Sequence, residues 1–199
     1  MAWQNNTAEL RGIQSGAAER SHTGRGIEYY RFSLLSRRLS GAVDRVPVIL
    51  AQNQLALLPG AGKRVRVRGE MRSFNNRSGS GSRLQLFVFA QELMSAEEES
   101  EDQNEITLTG TVCKEPVWRK TPMGREICDI MLAVGRRYGR TDYIPCIAWG
   151  RNAGTAAEME RGADVSLVGR FQSRDYLKQL DHGRETRTAY EVSVTGFFN

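Results

Sequence analysis

The chain has 199 residues, of which 40% are hydrophobic and 26% charged, and its formal net charge is +5. This balance is that of a folded globular protein and excludes wholesale disorder, a collagen helix and a long coiled coil. No apolar run approaches the ~18 to 20 residues of a membrane span, and the N-terminus lacks the order of a secretion signal, so we expect no membrane partner and a cytoplasmic location.

The soft metal ligands of the chain are three cysteines, Cys113, Cys128 and Cys146, and two histidines, His22 and His182. They form neither a Cys-x-x-Cys pair nor a cysteine–histidine spacing typical of a metal site, and an odd number of cysteines does not fit a disulfide scaffold. We therefore predict no zinc site, no other bound metal and no cofactor.

Charge divides the chain into three segments. Residues 1–94 carry a net charge of +8, residues 95–104 carry −5 and residues 105–199 carry +2. The acidic decapeptide has almost nothing apolar to bury, so it predicts a solvated linker between two domains of ordinary size, 1–94 and 105–199. The alternative is that its carboxylates act as an internal decoy, competing with polyanions for basic surface.

An internal repeat relates the two predicted domains. Identical residues recur at an offset of 98, and after a two-residue slip the pattern continues from Gly62–Gly69 to Gly162–Gly169. The identical pairs include Leu10 and Leu108, Gly12 and Gly110, Arg38 and Arg136, Asp44 and Asp142, and Pro47 and Pro145. Such self-similarity indicates that the two predicted domains have the same fold.

Each copy is predicted to contain five strands and one short helix. In the second copy, alternating or short apolar runs mark strands at 105–111, 127–134, 143–149, 164–171 and 189–195. Between the third and fourth strands, residues 151–162 are rich in Ala and Glu and end in a glycine, which predicts a helix. Residues 53–62 hold the same place in the first copy.

A glycine lies in the middle of the first and fourth predicted strands, as at Gly110 and Gly169. Glycine suits a small barrel at the points where a strand bends sharply. The predicted fold class is therefore all-β, with two tandem OB-folds, each a partly open five-stranded Greek-key barrel with one short helix. An unrelated β-sandwich is the alternative.

Nothing in the sequence has the pattern of a catalytic centre, so we expect that the protein is not an enzyme. Neither histidine lies beside a Ser or Cys in a nucleophile motif, and no paired carboxylates share a strand face. The Gly/Ser tract at 78–82 lacks a Walker lysine and the strand–helix context of a nucleotide-binding loop, so it predicts a flexible hairpin tip.

In the second copy, aromatic residues are interleaved with Arg and Lys. Bases stack on aromatic rings at ~1 to 3 kcal/mol each while cations follow the phosphates, so this pairing is typical of a groove that binds a single strand without reading its sequence. The alternative is a purely structural role, in which Trp149 is a core residue and Tyr143 and Tyr176 lie on an ordinary strand surface. The candidate binding residues are Trp118, Arg119, Lys120, Arg136, Arg137, Tyr138, Arg140, Tyr143, Trp149, Arg151, Arg174, Tyr176 and Lys178.

The first copy is poor in aromatic residues at the equivalent positions and rich in cations. In its fourth predicted strand, the period of two places Arg64, Arg66 and Arg68 on one face and Val65 and Val67 on the other. Like charges at this spacing repel, so the arginine ladder is a candidate contact for a polyanion, with a solvated surface as the alternative. Binding there would depend strongly on salt.

Four motifs of the second copy carry a family resemblance. They are Gly110-x5-Pro116-x2-Arg119-x2-Pro122-x-Gly124, Leu132-Ala-Val134, Tyr143-Ile-Pro-Cys-Ile-Ala-Trp-Gly150, and Arg161-Gly162 through Gly169-Arg170. Together they resemble the bacterial single-stranded DNA-binding protein family. The resemblance implies OB-folds that bind single-stranded DNA in replication, repair or recombination, with the family's four stacking aromatics at Tyr138, Tyr143, Trp149 and Tyr176.

Two features depart from that family's usual pattern. Family members usually end in a disordered tail with an acidic tip that recruits replication proteins, whereas this sequence stops at Asn199, so we expect no recruitment by that route. The common form uses four single-barrel subunits, so a chain with two barrels implies a homodimer with four OB-folds. The remaining alternatives are an RNA-binding protein, a replication-restart (primosomal) protein, and a structural adaptor that binds a protein partner.

Overall fold

The structure is a computed structural model that describes residues 5–76, 83–180 and 183–198. The chain divides into two compact units, the first formed by Met1–Arg72 and Phe87–Thr107 and the second by Ser73–Leu86 and Leu108–Asn199. The Gly/Ser tract at 78–82 lies outside the described residues. Among those described, no helix has the length and apolar character needed to cross a membrane.

The first barrel is a closed ring of five strands. Its strands are β1 (Asn6–Gly24), β2 (Ile27–Arg37), β3 (Val43–Ala51), β4 (Arg64–Asn75) and β5 (Leu84–Ser95), with a 3₁₀ turn at Gln52–Leu57. Strand β1 pairs antiparallel with both β2 and β4, β2 pairs with β3, and β5 adjoins β4. The ring is closed by a short parallel pairing of β3 with β5, in which Val48 faces Val88 and Ile49 faces Phe89.

The second barrel has the same connectivity. Its elements are β6 (Gln103–Val112), β7 (Val117–Lys120), β8 (Glu126–Gly135), a 3₁₀ turn at Arg137–Gly139, β9 (Thr141–Trp149), α1 (Arg151–Ala157), β10 (Asp164–Leu180) and β11 (Gly183–Phe198). Strand β8 pairs with β6 and β9, a parallel pairing joins β9 to β11, β10 pairs with β11, and β6 adjoins β10. The predicted fold of two tandem OB-folds is confirmed.

The repeat extends to the strand register. In the first barrel Tyr29 faces Ala51 and Arg31 faces Ile49 across β2 and β3. The residues 98 positions later form the same pairs across β8 and β9, where Ile127 faces Trp149. A residue of one barrel therefore has a defined structural equivalent in the other.

Glycines in the first and fourth strands of each barrel allow the paired strands to approach closely. A Cβ atom on Gly12 would collide with the carbonyl oxygen of Leu35, and one on Gly110 would collide with that of Ala133. Gly69 and Gly169, in β4 and β10, face carbonyl oxygens of β5 and β11 in the same way. Any side chain at these positions would push the paired strands apart.

A buried ion pair accounts for two further identities of the repeat. The guanidinium of Arg38 donates two hydrogen bonds to the carboxylate of Asp44, with Nε 2.9 Å from Oδ2, and Arg136 binds Asp142 in the same bidentate manner. Both aspartate side chains are fully buried, whereas the arginine side chains are about one-quarter exposed. An unpaired carboxylate would be costly there, which explains why each copy has both partners.

Several element boundaries differ from the sequence prediction. The helix α1 ends at Ala157 rather than at residue 162, and a 3₁₀ turn takes its place in the first barrel. Gly154 in the middle of α1 weakens an already short helix. Strands β10 and β11 run well beyond the predicted ends, because they pair with each other and so satisfy their own backbone hydrogen bonds.

Candidate nucleic-acid interface

The outer face of the second barrel presents two of the predicted aromatics on strand β9. Alternate β9 residues are buried in the core, whereas Tyr143 is 46% exposed and Trp149 is half-buried on the opposite, outer face. The two residues are six positions apart, which places their rings ~20 Å apart along the strand. Trp149 is therefore not a core residue.

A cation lies in line with Trp149 across the sheet. Arg119 of β7 is paired with Ile127 of β8, which in turn is paired with Trp149 of β9, so the register places Arg119 and Trp149 on the same face of the sheet. Arg119 and Trp149 are two strands apart, about 10 Å. The Arg119 Nε atom is 2.8 Å from an oxygen of Asp129, also on this face, so part of its charge is balanced within the sheet.

Strands β10 and β11 continue the same face on the other side of β9. Ile147 faces Ser193, and Ser193 faces Arg170, which fixes the register of the outer positions. Tyr176 is six positions after Arg170, and its partner Arg187 is six positions before Ser193. Both therefore lie toward the Thr141 end of β9, which is six positions before Ile147. Arg174, two residues before Tyr176, shares this face and is exposed.

The fourth predicted aromatic, Tyr138, lies in the 3₁₀ turn between β8 and β9, at the same end of the face as Tyr143. Its side chain is 100% exposed, and its backbone has a φ of 67°, which is unfavourable for a residue with a Cβ atom. Arg137 and Arg140 flank it and are exposed. A fully exposed ring on a strained backbone does not stabilise the folded chain, so this position favours contact with a ligand.

Two predicted residues lie on the other face of the sheet. Trp118 faces Cys128 and Lys120 faces Glu126, so both point away from the face that holds Arg119. The Lys120 Nζ atom lies 5.7 Å from the centre of the Trp118 ring and 3.8 Å from Glu126. Trp118 is 45% exposed, yet the barrel does not bring it together with the other predicted aromatics.

The other cations predicted in this copy have different surroundings. Arg136 is occupied by the buried Asp142, so its role in the structure is to hold that carboxylate. Arg151 is exposed at the start of α1, directly after Gly150. Lys178 belongs to β10, and its side chain lies outside the part of the structure that is described.

Three residues of the outer face were missed from the sequence: Arg170, Arg187 and Asp129. Arg170 is on the face because it is an even number of residues before Tyr176 in one strand, a signal that was present in the sequence. Arg187 required the β10–β11 register, and it is itself paired with Glu185, with Nε 2.8 Å from the carboxylate. Asp129 lies in the predicted strand 127–134, but its pairing with Arg119 required the short strand β7, which the sequence did not reveal.

In the first barrel, the arginine ladder lies on the predicted face, and each of its members has an acidic partner. Arg64 is paired with Asp102, Arg66 lies 3.4 Å from Glu9, and Arg68 lies 3.1 Å from Glu9 and 3.4 Å from Glu92. The last two arginines and their partners line an open depression of about 320 Å³. The ladder is therefore closer to electroneutral than its sequence suggests.

The acidic segment between β5 and β6 is largely exposed to solvent, and some of its carboxylates pair with residues of the first unit. Glu98 accepts a hydrogen bond from Lys63 at 2.7 Å, and Asp102 accepts from the backbone N–H of Arg37 at 2.5 Å in addition to binding Arg64. The hydrogen bond and the attraction between the charges lower the pKa of Glu98 and raise that of Lys63. Basic side chains of the first barrel thus already hold carboxylates.

The three cysteines are free thiols. Burial raises the pKa of Cys146, and burial together with the neighbouring Asp129 raises that of Cys128. Cys113 is partly exposed. Within the described residues, no group of three or more His, Cys, Asp or Glu side chains is arranged to hold a metal ion.

Sequence comparisons match the second barrel to known proteins. The family described as "Single-strand binding protein family" matches residues 103–197. The chain is 32% identical over 80 residues to Single-stranded DNA-binding protein B of Bacillus subtilis, covering 37% of this chain and 71% of the relative. It is 30% identical over 98 residues to the Single-stranded DNA-binding protein of Oceanobacillus iheyensis, covering 46% and 58%. It spans about half the length of most such curated relatives.

Solved structures match both barrels. The wild-type single-stranded DNA binding protein from Thermus aquaticus aligns with 97% of this chain and 91% of its own, with a TM-score of 0.77 and 20% identity. A deletion mutant of that protein aligns with 100% and 95%, with a TM-score of 0.76 and 22% identity. At this identity the match shows the tandem fold. From its sequence relatives, the chain belongs to the single-strand binding protein family.

Proposed function

We propose that the protein binds single-stranded DNA with little sequence preference, by stacking bases on the outer face of the second barrel and holding phosphates with the neighbouring cations. It acts by binding rather than by catalysis, in DNA replication, repair or recombination. The observation that carries this proposal is the placement of Tyr143, Trp149 and Tyr176 on one outer face, with Tyr138 exposed at its end.

The chemistry of that face suits a strand without a fixed sequence. Every base has an aromatic surface, so stacking rings accept any base, whereas sequence reading requires hydrogen-bond donors and acceptors aimed at base edges. The exposed cations Arg137, Arg140 and Arg174 lie beside the rings and supply charge for the backbone. Arg119 would exchange its exposed partner Asp129 for a phosphate at little cost, because exposed ion pairs contribute only ~0 to 1 kcal/mol.

The proposal is tested by quenching of tryptophan fluorescence with a thymidine homopolymer. Two matched variants, Trp149→Phe and Trp118→Phe, separate the faces of the sheet, since each removes one indole and keeps an aromatic ring. The polymer should quench the Trp118→Phe variant strongly and the Trp149→Phe variant much less. Trp3 is present in both variants, so the difference between them reports on the two faces.

Two results would count against the proposal. Equal quenching in both variants would place the strand elsewhere, and no binding of the polymer to the unmodified chain would favour an adaptor that binds a protein partner. A uridine homopolymer run in parallel tests RNA, because stacking alone does not distinguish the two sugars. Tighter binding of the RNA polymer would assign the face to RNA.

We further propose that the protein is a cytoplasmic homodimer with four barrels, the number that the family resemblance implies. Its three free cysteines suit the reducing cytoplasm. The mass of the particle in solution, measured with and without a thymidine oligomer, should equal two chains in both states. A monomeric mass at micromolar concentration would refute the dimer while leaving DNA binding intact.

A further inference from the structure

The first barrel carries a row of three aromatic rings that its sequence did not reveal. The ring of His22 stacks on that of Tyr29, with centroids 4.9 Å apart and planes 17° from parallel. Tyr29 in turn contacts Phe89, with centroids 5.8 Å apart and planes at 54°. The rings come from three strands, β1, β2 and β5. His22 and Tyr29 share one hairpin, whereas Phe89 lies 60 positions after Tyr29 in the chain, so no local motif contains all three.

All three rings lie on the outer face of the first barrel. His22 faces Tyr29 directly across β1 and β2, and Phe89 faces Ile49, which faces Arg31 on β2. Tyr29 and Arg31 are two residues apart in one strand, so their side chains share a face. His22 is exposed and the other two rings are half-buried, whereas the residues of the opposite face, such as Phe32, fill the core.

Tyr29 lies directly across the strand pair from Ala51, the residue that is equivalent to Trp149 of the second barrel. In the second barrel the pair across β8 and β9 is Ile127 and Trp149, and in the first barrel the equivalent pair is Tyr29 and Ala51. Each pair contains one large ring, on opposite strands. The position equivalent to Trp149 holds the small Ala51, and Tyr29 supplies the ring of that pair in the first barrel.

Basic residues accompany the row. Arg31 shares its face and is 64% exposed, and its guanidinium lies 3.6 Å from a carboxylate oxygen of Glu19. Arg25 is exposed in the turn that joins β1 to β2, beside His22 and Tyr29 in the hairpin. Rings with exposed cations beside them suit a chain of bases linked by phosphates, whereas a purely apolar partner would leave those cations unbalanced.

We propose that His22, Tyr29 and Phe89 form a second base-stacking platform, by which the first barrel binds single-stranded DNA independently of the aromatic positions used in the second. This inference rests on the proposed function of the chain and extends it to the other barrel. The first barrel thereby contributes stacking as well as charge, in place of the phosphate-led binding expected from its arginine ladder.

The test measures binding of a thymidine oligomer of about 30 nucleotides, longer than the ~4 to 16 that one OB-fold covers, to the full chain and its variants. Tyr29→Ala should weaken binding roughly 5- to 150-fold, the equivalent of losing one stacked base at ~1 to 3 kcal/mol. It should also reduce the number of nucleotides covered per chain. Tyr29→Phe keeps the ring and should bind as the unmodified chain does, and Leu57→Ala, in the 3₁₀ turn, is the control for an exposed apolar truncation.

A rescue variant separates stacking from folding. Tyr29→Ile combined with Ala51→Trp rebuilds in the first barrel the pair found in the second, so it should recover the affinity lost in Tyr29→Ala. Photocrosslinking of an oligomer containing 5-iodouracil to the unmodified chain provides a measurement without mutation. It should label at least one of the three aromatic residues.

The outcomes distinguish this inference from the function on which it rests. If the unmodified chain fails to bind the oligomer, the proposed function itself fails. If the chain binds and Trp149→Ala weakens it, but Tyr29→Ala changes neither affinity nor coverage and no crosslink forms on the row, the second platform is overturned and the function of the second barrel stands.

Discussion

The role of Arg136 gives a sharp test, because sequence reasoning placed this residue in the binding surface and the structure places its charge on a buried carboxylate. Replacing it by Gln in the Arg136→Gln variant would leave the fully buried Asp142 without its cation. Removing one partner of a buried ion pair costs ~3 to 5 kcal/mol, so the second barrel should lose that much of its free energy of unfolding. Urea unfolding followed by tryptophan fluorescence measures the loss.

The same variant should leave the electrostatics of DNA binding unchanged. Each phosphate contact to a single strand contributes about 0.7 to the slope of log affinity against log salt. Arg136→Gln should therefore keep the slope of the unmodified chain, whereas Arg140→Gln, which removes an exposed cation from the turn beside Tyr138, should lower it by about 0.7 with little effect on unfolding. The double variant Arg136→Gln/Asp142→Asn should recover part of the lost stability, since no buried charge is then unpaired.

A reversed pattern would refute this reasoning. If Arg136→Gln unfolds at the same urea concentration as the unmodified chain and flattens the salt dependence, the guanidinium contacts phosphate and the pairing with Asp142 is incidental. Arg38→Gln provides the matched comparison, because the equivalent pair in the first barrel has the same geometry. It should destabilise the first barrel by a similar amount.

Three further outcomes are expected. The double variant Glu98→Gln/Asp102→Asn releases Lys63 and Arg64, so its affinity for a thymidine homopolymer should rise modestly at low salt, and unchanged affinity would leave the acidic segment without a decoy role. Because the pKa of Glu98 is lowered, this carboxylate should stay charged at pH 5 in the unmodified chain, and the difference between the two proteins should persist there. At pH 8 a disulfide reagent should modify the partly exposed Cys113 well before the two buried thiols, whose raised pKa leaves little thiolate, and three equal rates would contradict that burial. Gly110→Ala should lower the free energy of unfolding of the second barrel by at least ~1 to 3 kcal/mol, measured by thermal unfolding. An unchanged free energy would show that β6 and β8 separate easily.

The fold followed from the sequence because its signals are local or repeated. Alternation marked the strands, and glycines in the first and fourth strands of both copies indicated a small barrel. Strand β7 was missed because its four residues, Val117 to Lys120, are all exposed and show no alternation. The extra length of β10 and β11 was missed for a related reason, since two strands that pair with each other beyond the barrel need no buried face.

The candidate site was only partly predictable. Tyr143 and Trp149 share one strand, so the period of two was enough to place them on one face. Trp118 is adjacent to Arg119 in sequence and therefore on the opposite face, a consequence that depends on β7 being a strand. The row that contains Tyr29 joins three strands, and only the register of the barrel brings such residues together.

The parallel closure of each barrel has a consequence for its motions. Strands β3 and β5 are paired at only two positions and β9 and β11 at three, whereas β2 and β3 are paired at nine. Opening along this short seam breaks fewer interstrand bonds than opening a hairpin such as β8–β9, which is paired at nine positions, so the cylinder should open there before any hairpin comes apart. A nucleic-acid strand that stacks on Trp149, on one side of the seam, and on Tyr176, on the other side, would link the two sides. Binding of the nucleic acid would therefore stabilise the closed barrel.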